Sequence, residues 1–163
     1  MNRQRWMGVG MLALGLATSA QAASPARLLQ SPVLSATHLA FVSGGDVWVA
    51  SRGGGKAVRL TTGTGIEQAP SFSPDGSTIS YVRGGALCVC TLDGNERVLA
   101  TEENDTVSWG SAEFIAAEEM GRFRGYWWSP DSKLIAACRV DVDPIDTWYI
   151  ADPAHPAVPA VAH

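Results

Sequence analysis

Positive charge is scarce in this sequence. Twelve Lys and Arg stand against sixteen Asp and Glu, for a formal net charge of −4, and no basic stripe runs anywhere along the chain. That argues against a nucleic-acid partner, which needs a basic face to displace counterions. Cysteine is scarce too. Cys88, Cys90 and Cys138 make an odd count, so a complete disulfide framework is excluded. Cys88 and Cys90 alternate on one predicted strand and point to the same face, where a mutual bond would be strained. A Cys-x-Cys metal site would need further ligands, and no His or Cys lies at a supporting spacing. The cysteines read as small buried hydrophobes, and neither a metal nor a cofactor is expected. The apolar stretch at residues 7–17 is too short to span a bilayer.

That stretch has another reading. Arg3 and Arg5 precede it, and Ala20-Gln21-Ala22 follows as a small-x-small cleavage site, the three-part pattern of a secretory signal peptide. Nothing caps the segment as a first helix, and small polar residues follow at once. The expectation is a signal peptide over 1–22 and a domain over 23–163. The mature chain would be periplasmic or secreted, with no membrane association after cleavage. It would keep enough residues for one domain of ordinary size.

Within it, β-prone runs alternate with Gly, Asp-Gly and Pro turns. Residues 38–42, 46–50, 57–60, 77–82, 86–90 and 97–99 are the predicted strands, separated by Gly44-Gly45, Gly53-Gly54-Gly55, Gly84-Gly85 and Asp93-Gly94. Such dipeptides between apolar runs are strong hairpin signals. Gly53-Gly-Gly-Lys56 lacks the first Gly and the hydroxyl residue of a phosphate loop and reads as a hairpin turn.

The pattern repeats. Phe41-Val42 matches Tyr81-Val82, and Asp46-Val-Trp-Val49 matches Ala86-Leu-Cys-Val89, both 40 residues on. Four short strands in about 40 residues is the size of one propeller blade. A third unit opens at Trp127-Trp128-Ser129-Pro130-Asp131-Ser132, echoing Ser71-Phe72-Ser73-Pro74-Asp75-Gly76, and Ile135-Ala-Ala-Cys138 echoes Ile79-Ser-Tyr-Val82. In these turns Pro presets φ, Asp bonds back to the backbone and Gly tolerates positive φ. The predicted fold is therefore all-β: a partial β-propeller of about three antiparallel four-stranded blades with one short helical insertion. Three blades cannot close a propeller and would leave open sheet edges, so the expectation is a fragment. Trp48, Trp127, Trp128 and Trp148 are expected mostly in inter-blade core.

The third unit comes late. Pro130 lies 56 residues after Pro74, sixteen beyond the period, and the excess falls within residues 101–124. Residues 111–120 form the one convincing helix of the mature chain. Ser111 is the expected cap, Glu113 suits the positive end of the dipole, and Ala dominates the interior. An insertion that breaks a regular repeat is where function tends to lodge. Asp141, Asp143 and Asp146 lack the Gly and distal Glu of a calcium loop and read as solvated turn carboxylates.

Ala112-Glu-Phe-Ile-Ala-Ala-Glu-Glu-Met120, Arg122, Gly125-Tyr-Trp-Trp-Ser-Pro-Asp131 and residues 135–141 resemble the amino-terminal propeller of bacterial dipeptidyl peptidase IV. Residues 148–156 are similar to a stretch found in some bacterial members. Residues 39–82 resemble the same family less specifically, and equally the Ser-Pro-Asp-Gly propellers of tricorn-type proteases and periplasmic partner-binding proteins. The resemblance implies that Glu118 and Glu119 grip the free α-ammonium of a peptide substrate. Two carboxylates on one short helix suit that task, since an ammonium offers three N–H donors. The family's catalytic parts have no match. No Gly-x-Ser-x-Gly elbow occurs, and His38, His155 and His163 stand without a Ser partner in context. Arg122 and Arg124 lie near the Glu pair but match no known ligand position.

Two functions follow. One is the substrate-gating propeller of a serine exopeptidase, inactive alone, whose partners are a peptide N-terminus and a separate α/β-hydrolase domain or downstream gene product. The other is a stand-alone periplasmic propeller that docks a protein partner.

Overall fold

The computed structural model describes residues 28–146 and 148–162; the predicted signal peptide and His163 lie outside them. Two complete four-stranded antiparallel blades come first. Blade one consists of β1 (Gln30–Leu34), β2 (His38–Ser43), β3 (Asp46–Ser51) and β4 (Val58–Arg59). Blade two repeats it with β5 (Glu67–Phe72), β6 (Thr78–Arg83), β7 (Ala86–Thr91) and β8 (Glu96–Ala100). The expected 40-residue offset holds in the ladders, where Phe41 pairs Trp48 and Tyr81 pairs Cys88.

The innermost strands β1 and β5 escaped the strand pattern for a physical reason. Each contains a Pro, and each is broken by a bulge at a non-Gly residue in the left-handed region, Ser31 and Ala69, both at φ 48°. A bulge disrupts period-two alternation and leaves a residue out of the ladder.

Blade two is the middle of the stack, and its central strands are buried on both faces. Ile79, Tyr81, Cys88 and Cys90 pack against Ala40, Val47, Val49 and Leu60 of blade one. Val82 and Leu87 face the other way, onto Tyr126, Ile135 and Ala137. Double burial makes the interior of β7 a continuous apolar run in place of an alternating one, while β6 buries Ser80 among its apolar residues. Each large aliphatic or aromatic side chain removed from water there contributes about 1.5–3 kcal/mol. Both cysteines are free and buried as expected, and burial pushes the Cys90 thiol up to about 11. Cys138 is free and half-buried.

The tryptophans depart from expectation. Trp128 bridges blades, donating from Nε1 to Ser80 Oγ at 2.7 Å. Trp48 is half-buried and bonds within its own blade, to the Ser43 carbonyl, while Trp127 and Trp148 are 44% and 74% exposed. The fully buried aromatics are Tyr81 and Tyr126, whose smaller rings fit the space between tightly packed sheets.

The third unit uses β9 (Val107–Trp109), β10 (Tyr126–Trp128), β11 (Ile135–Ala137) and β12 (Arg139–Asp141), with β13 (Tyr149–Ile150) and β14 (Val161–Ala162) as a separate hairpin. β9 pairs β12 and β10 pairs β11, both antiparallel. Only Cys138 separates β11 from β12, so one partner stretch serves both β9 and β10. Glu102 fastens the approach to β9 with a two-pronged contact to Arg139, at 2.5 and 2.8 Å.

The turns repeat their chemistry. Asp75 accepts from Ser73 Oγ at 2.6 Å and from the Ser77 amide at 3.0 Å. Asp131 does the same with Ser129 Oγ and the Lys133 amide. These donors, the hydroxyl first, hold both carboxyls below the usual Asp value. Ser132 replaces the Gly of the second turn and still adopts φ 62°; its hydroxyl accepts from the Asp75 amide at 3.0 Å, linking the two turns.

Candidate functional site

The insertion occupies the bulge position of an innermost strand. In blade two, Gln68 pairs Val82 and Ser71 pairs Ser80, with Ala69 and Pro70 bulged between. In the third unit the same places are held by Gly110, whose amide donates to the Cys138 carbonyl at 2.9 Å, and by Trp127, paired with Ala136. Gln68 and Ser71 are three positions apart; Gly110 and Trp127 are seventeen apart. Fourteen of the sixteen extra residues thus leave the sheet where the first two blades already interrupt their ladders.

A narrow neck closes the excursion. The Gly125 amide donates to the Gly110 carbonyl at 2.8 Å, and the Cys138 amide to the Gly125 carbonyl at 2.7 Å. Ser111 bridges Arg124, and the Ala112 amide donates to the Phe123 carbonyl at 3.0 Å. Both glycines are required. A Cβ on Gly125 would stand 2.1 Å from the Ser111 carbonyl oxygen. Gly110 takes φ 79°, and a Cβ there would crowd Leu87, Val82 and Tyr126. Tyr126 anchors the return: its hydroxyl donates to the Ala69 and Ser80 carbonyls at 2.5 and 2.9 Å, tying the neck to blade two's own bulge.

Beyond the neck lies α1 (Phe114–Glu118), shorter than the expected 111–120. Its cap is Glu113 and not Ser111, which is held in the neck. The Glu113 carboxylate accepts from the Ile115 and Ala116 amides at 2.7 and 2.8 Å, satisfying donors that a helix start leaves orphaned. Ala116 is the buried residue of the helix. Glu118 ends it and Glu119 is its C-cap in right-handed conformation, with its amide on the Ile115 carbonyl at 2.9 Å. Gly121 at φ 61° reverses the chain, and the Arg122 amide closes the turn onto the Ala116 carbonyl.

Glu118 and Glu119 are therefore adjacent and exposed at the C-terminal end of the short helix, one its last residue and the other its cap. Among the described residues no basic nitrogen lies within 4.0 Å of either carboxylate. The insert's two cations are elsewhere. Arg122 lies over the Trp127 ring at 5.5 Å and donates from Nη1 to the Arg124 carbonyl at 3.1 Å. Arg124 lies over Tyr126 at 5.6 Å.

A cavity of about 330 Å³ opens beside the neck. Ser31 and Ala69, the bulged residues of the first two blades, line it together with Ser111 and Phe123 of the insert. The three interrupted strands thus converge on one space, and the Glu pair is not among its lining residues. Asp141, expected as a solvated turn carboxylate, ends β12 instead: it accepts from the Asp143 amide and from Thr106 Oγ1 and pairs with Arg139 at 3.5 Å. His155 pairs with Asp152 at 2.7 Å in the tail.

The neck glycines, the Glu113 cap and the Arg–aromatic stacks were missed by sequence reasoning; the available signal was Gly110 and Gly125 flanking the insertion. A buried carboxylate was missed as well. Glu67 is all but fully buried and receives Arg83 Nη1 at 3.2 Å on Oε1, while its Oε2 has no partner among the described residues. Burial, outweighing the Arg83 hydrogen bond, pushes its pKa above the usual Glu value.

Among solved structures the chain is similar to the crystal structure of Porphyromonas gingivalis dipeptidyl peptidase 4. They superpose with a TM-score of 0.62 at 19% identity, over 83% of this chain and 19% of that one. That likeness carries the fold, and this chain spans about a fifth of the length of the protein it resembles. A family model described as the dipeptidyl peptidase IV (DPP IV) N-terminal region matches residues 41–161, a span that includes blade two, the neck and the whole insertion. The chain belongs to the dipeptidyl peptidase IV N-terminal region family.

Proposed function

We propose that this chain is the propeller part of an exported, dipeptidyl peptidase IV-like serine exopeptidase, and that Glu118 and Glu119 receive the α-ammonium of the peptide substrate. The observation that carries the reading is a pair of exposed acids with no basic partner among the described residues, on an excursion from an innermost propeller strand, inside the segment that matches the family. An amino end brings one positive charge and three N–H donors, and carboxylates accept charge-assisted bonds of this kind strongly. Such a clamp lets an exopeptidase measure its cut from a free terminus. Acyl transfer itself belongs to an α/β-hydrolase domain, because no nucleophile–base pair is encoded here.

The test uses the propeller joined to its hydrolase domain. Glu118→Ala or Glu119→Ala should lower kcat/KM for a free-amine X-Pro substrate about 10- to 100-fold, the loss of one charge-assisted contact. An N-acetylated substrate should be poor with wild type and indifferent to either change. Equal losses for both substrates would show that the pair is structural.

A further inference from the structure

The insertion carries two arginines within reach of its own acid pair, and both are held away from it. Had α1 continued, Arg122 would follow Glu118 by four positions and Glu119 by three on one helix, where a cation folds back onto a carboxylate. It does not do so. The left-handed Gly121 and the Arg122 amide bond to Ala116 turn the chain toward β10. There the guanidinium lies over Trp127 at 5.5 Å, within the range of a cation–π contact, and donates to the Arg124 carbonyl. Arg124 is taken up in the same way by Tyr126. Trp127 is 44% exposed and borders a cavity with Arg122 and with Ala69 and Pro70 of blade two, so part of its ring is left free for the guanidinium.

We propose that Trp127 is a positioning residue that parks Arg122 and so keeps Glu118 and Glu119 free for an incoming ammonium. This rests on the reading of the Glu pair as an ammonium site and adds the device that preserves it. An internal Arg would compete with the substrate for the same carboxylates, and a stacked Arg cannot. Planar, weakly hydrated guanidinium suits such stacking better than an ammonium would, so the arrangement keeps the insert's own cation off the site while leaving a compact peptide amine free to enter it.

The experiment titrates the full chain with Ala-Pro-Ala and with N-acetyl-Ala-Pro-Ala, read by NMR, and records the ring-current shift of the Arg122 side-chain protons. Wild type should prefer the free amine and show the shift. Trp127→Ala should abolish the shift and weaken free-amine binding about 3- to 10-fold, with the acetylated peptide unaffected. Trp127→Leu, which keeps apolar cover on the strand, should behave alike. Arg122→Gln alone should bind the free amine as wild type does or up to about twofold tighter. Combined with Trp127→Ala, it should restore wild-type binding. A loss that persists in the double variant, or a loss from Arg122→Gln alone, would overturn the proposal while leaving the ammonium site standing. So would a Trp127→Ala chain that loses the shift and binds normally. A wild type that does not distinguish the two peptides would remove the ammonium site and the proposal together.

Discussion

Blade two and the third unit begin from the same strand plan and diverge at one point. In blade two the inner strand slips by two residues, Ala69 and Pro70, and resumes. In the third unit it leaves the sheet at Gly110, travels through a helix, and resumes at Gly125, with Cys138 paired to both. The ladder was already broken there, so lengthening the break from two residues to fourteen sacrifices no further sheet hydrogen bonds. Closing a longer loop adds little entropy cost, because that cost grows only with the logarithm of length. A propeller can therefore carry an insertion at a bulge without disturbing the blade that holds it.

The largest expected effect comes from removing what joins the two regions. Tyr126→Ala should lower stability by about 3–5 kcal/mol, measured by urea midpoint, since the ring is fully buried and its hydroxyl ties the third unit to two strands of blade two. Next is the neck. Gly125→Ala meets the Ser111 carbonyl at 2.1 Å, so strand and excursion must separate, at about 1–3 kcal/mol; amide exchange at Gly110 to Ala112 should accelerate. The same methyl at Gly121 meets nothing and should produce only the smaller strain of its left-handed backbone.

The buried tyrosines sharpen the comparison. Tyr126→Phe should lose about 1–2 kcal/mol by removing the one hydroxyl proton that the Ala69 and Ser80 carbonyls share. Tyr81→Phe in blade two should be neutral or slightly stabilising, because the Tyr81 hydroxyl has no partner among the described residues. Equal losses at the two positions would mean that the Tyr81 hydroxyl is hydrogen-bonded after all. Glu113→Ala should remove the cap of α1, about 1 kcal/mol locally. Hydrogen exchange at Ile115 and Ala116 should report it, with the urea midpoint unchanged.

The smallest effect is a dependence on pH. The Glu67 pKa lies above its unfolded value, so the folded chain holds this proton more tightly. Its contribution is therefore present at low pH and falls as pH rises from the ordinary Glu value through the folded one. The turn acids Asp75 and Asp131 have depressed pKa values and act oppositely, their contribution disappearing as pH falls through the folded values. The difference in urea midpoint between Glu67→Gln and wild type should move in favour of Gln as pH increases. A constant difference would show that Arg83 fully compensates the charge.

The propeller repeat, the hairpins and the place of the insertion were determined by the sequence alone. Turn chemistry and apolar runs are local, and a 40-residue period is visible without coordinates. The acid pair was legible for the same reason, as adjacent residues in a distinctive local stretch. Tertiary structure alone decided which strands bulge, since Ser31 and Ala69 hold left-handed backbone only because neighbouring strands fix them there. It also moved the helix cap from Ser111 to Glu113, because the neck pairing of Ser111 with Arg124 takes that residue out of reach. The tryptophans were decided there too: hydrophobicity points them inward, but tightly packed sheets took Tyr81 and Tyr126 and left Trp127 outside, stacked against Arg122. Contacts between residues far apart in the chain are set by how blades stack, and that information exists only once the sheets have packed.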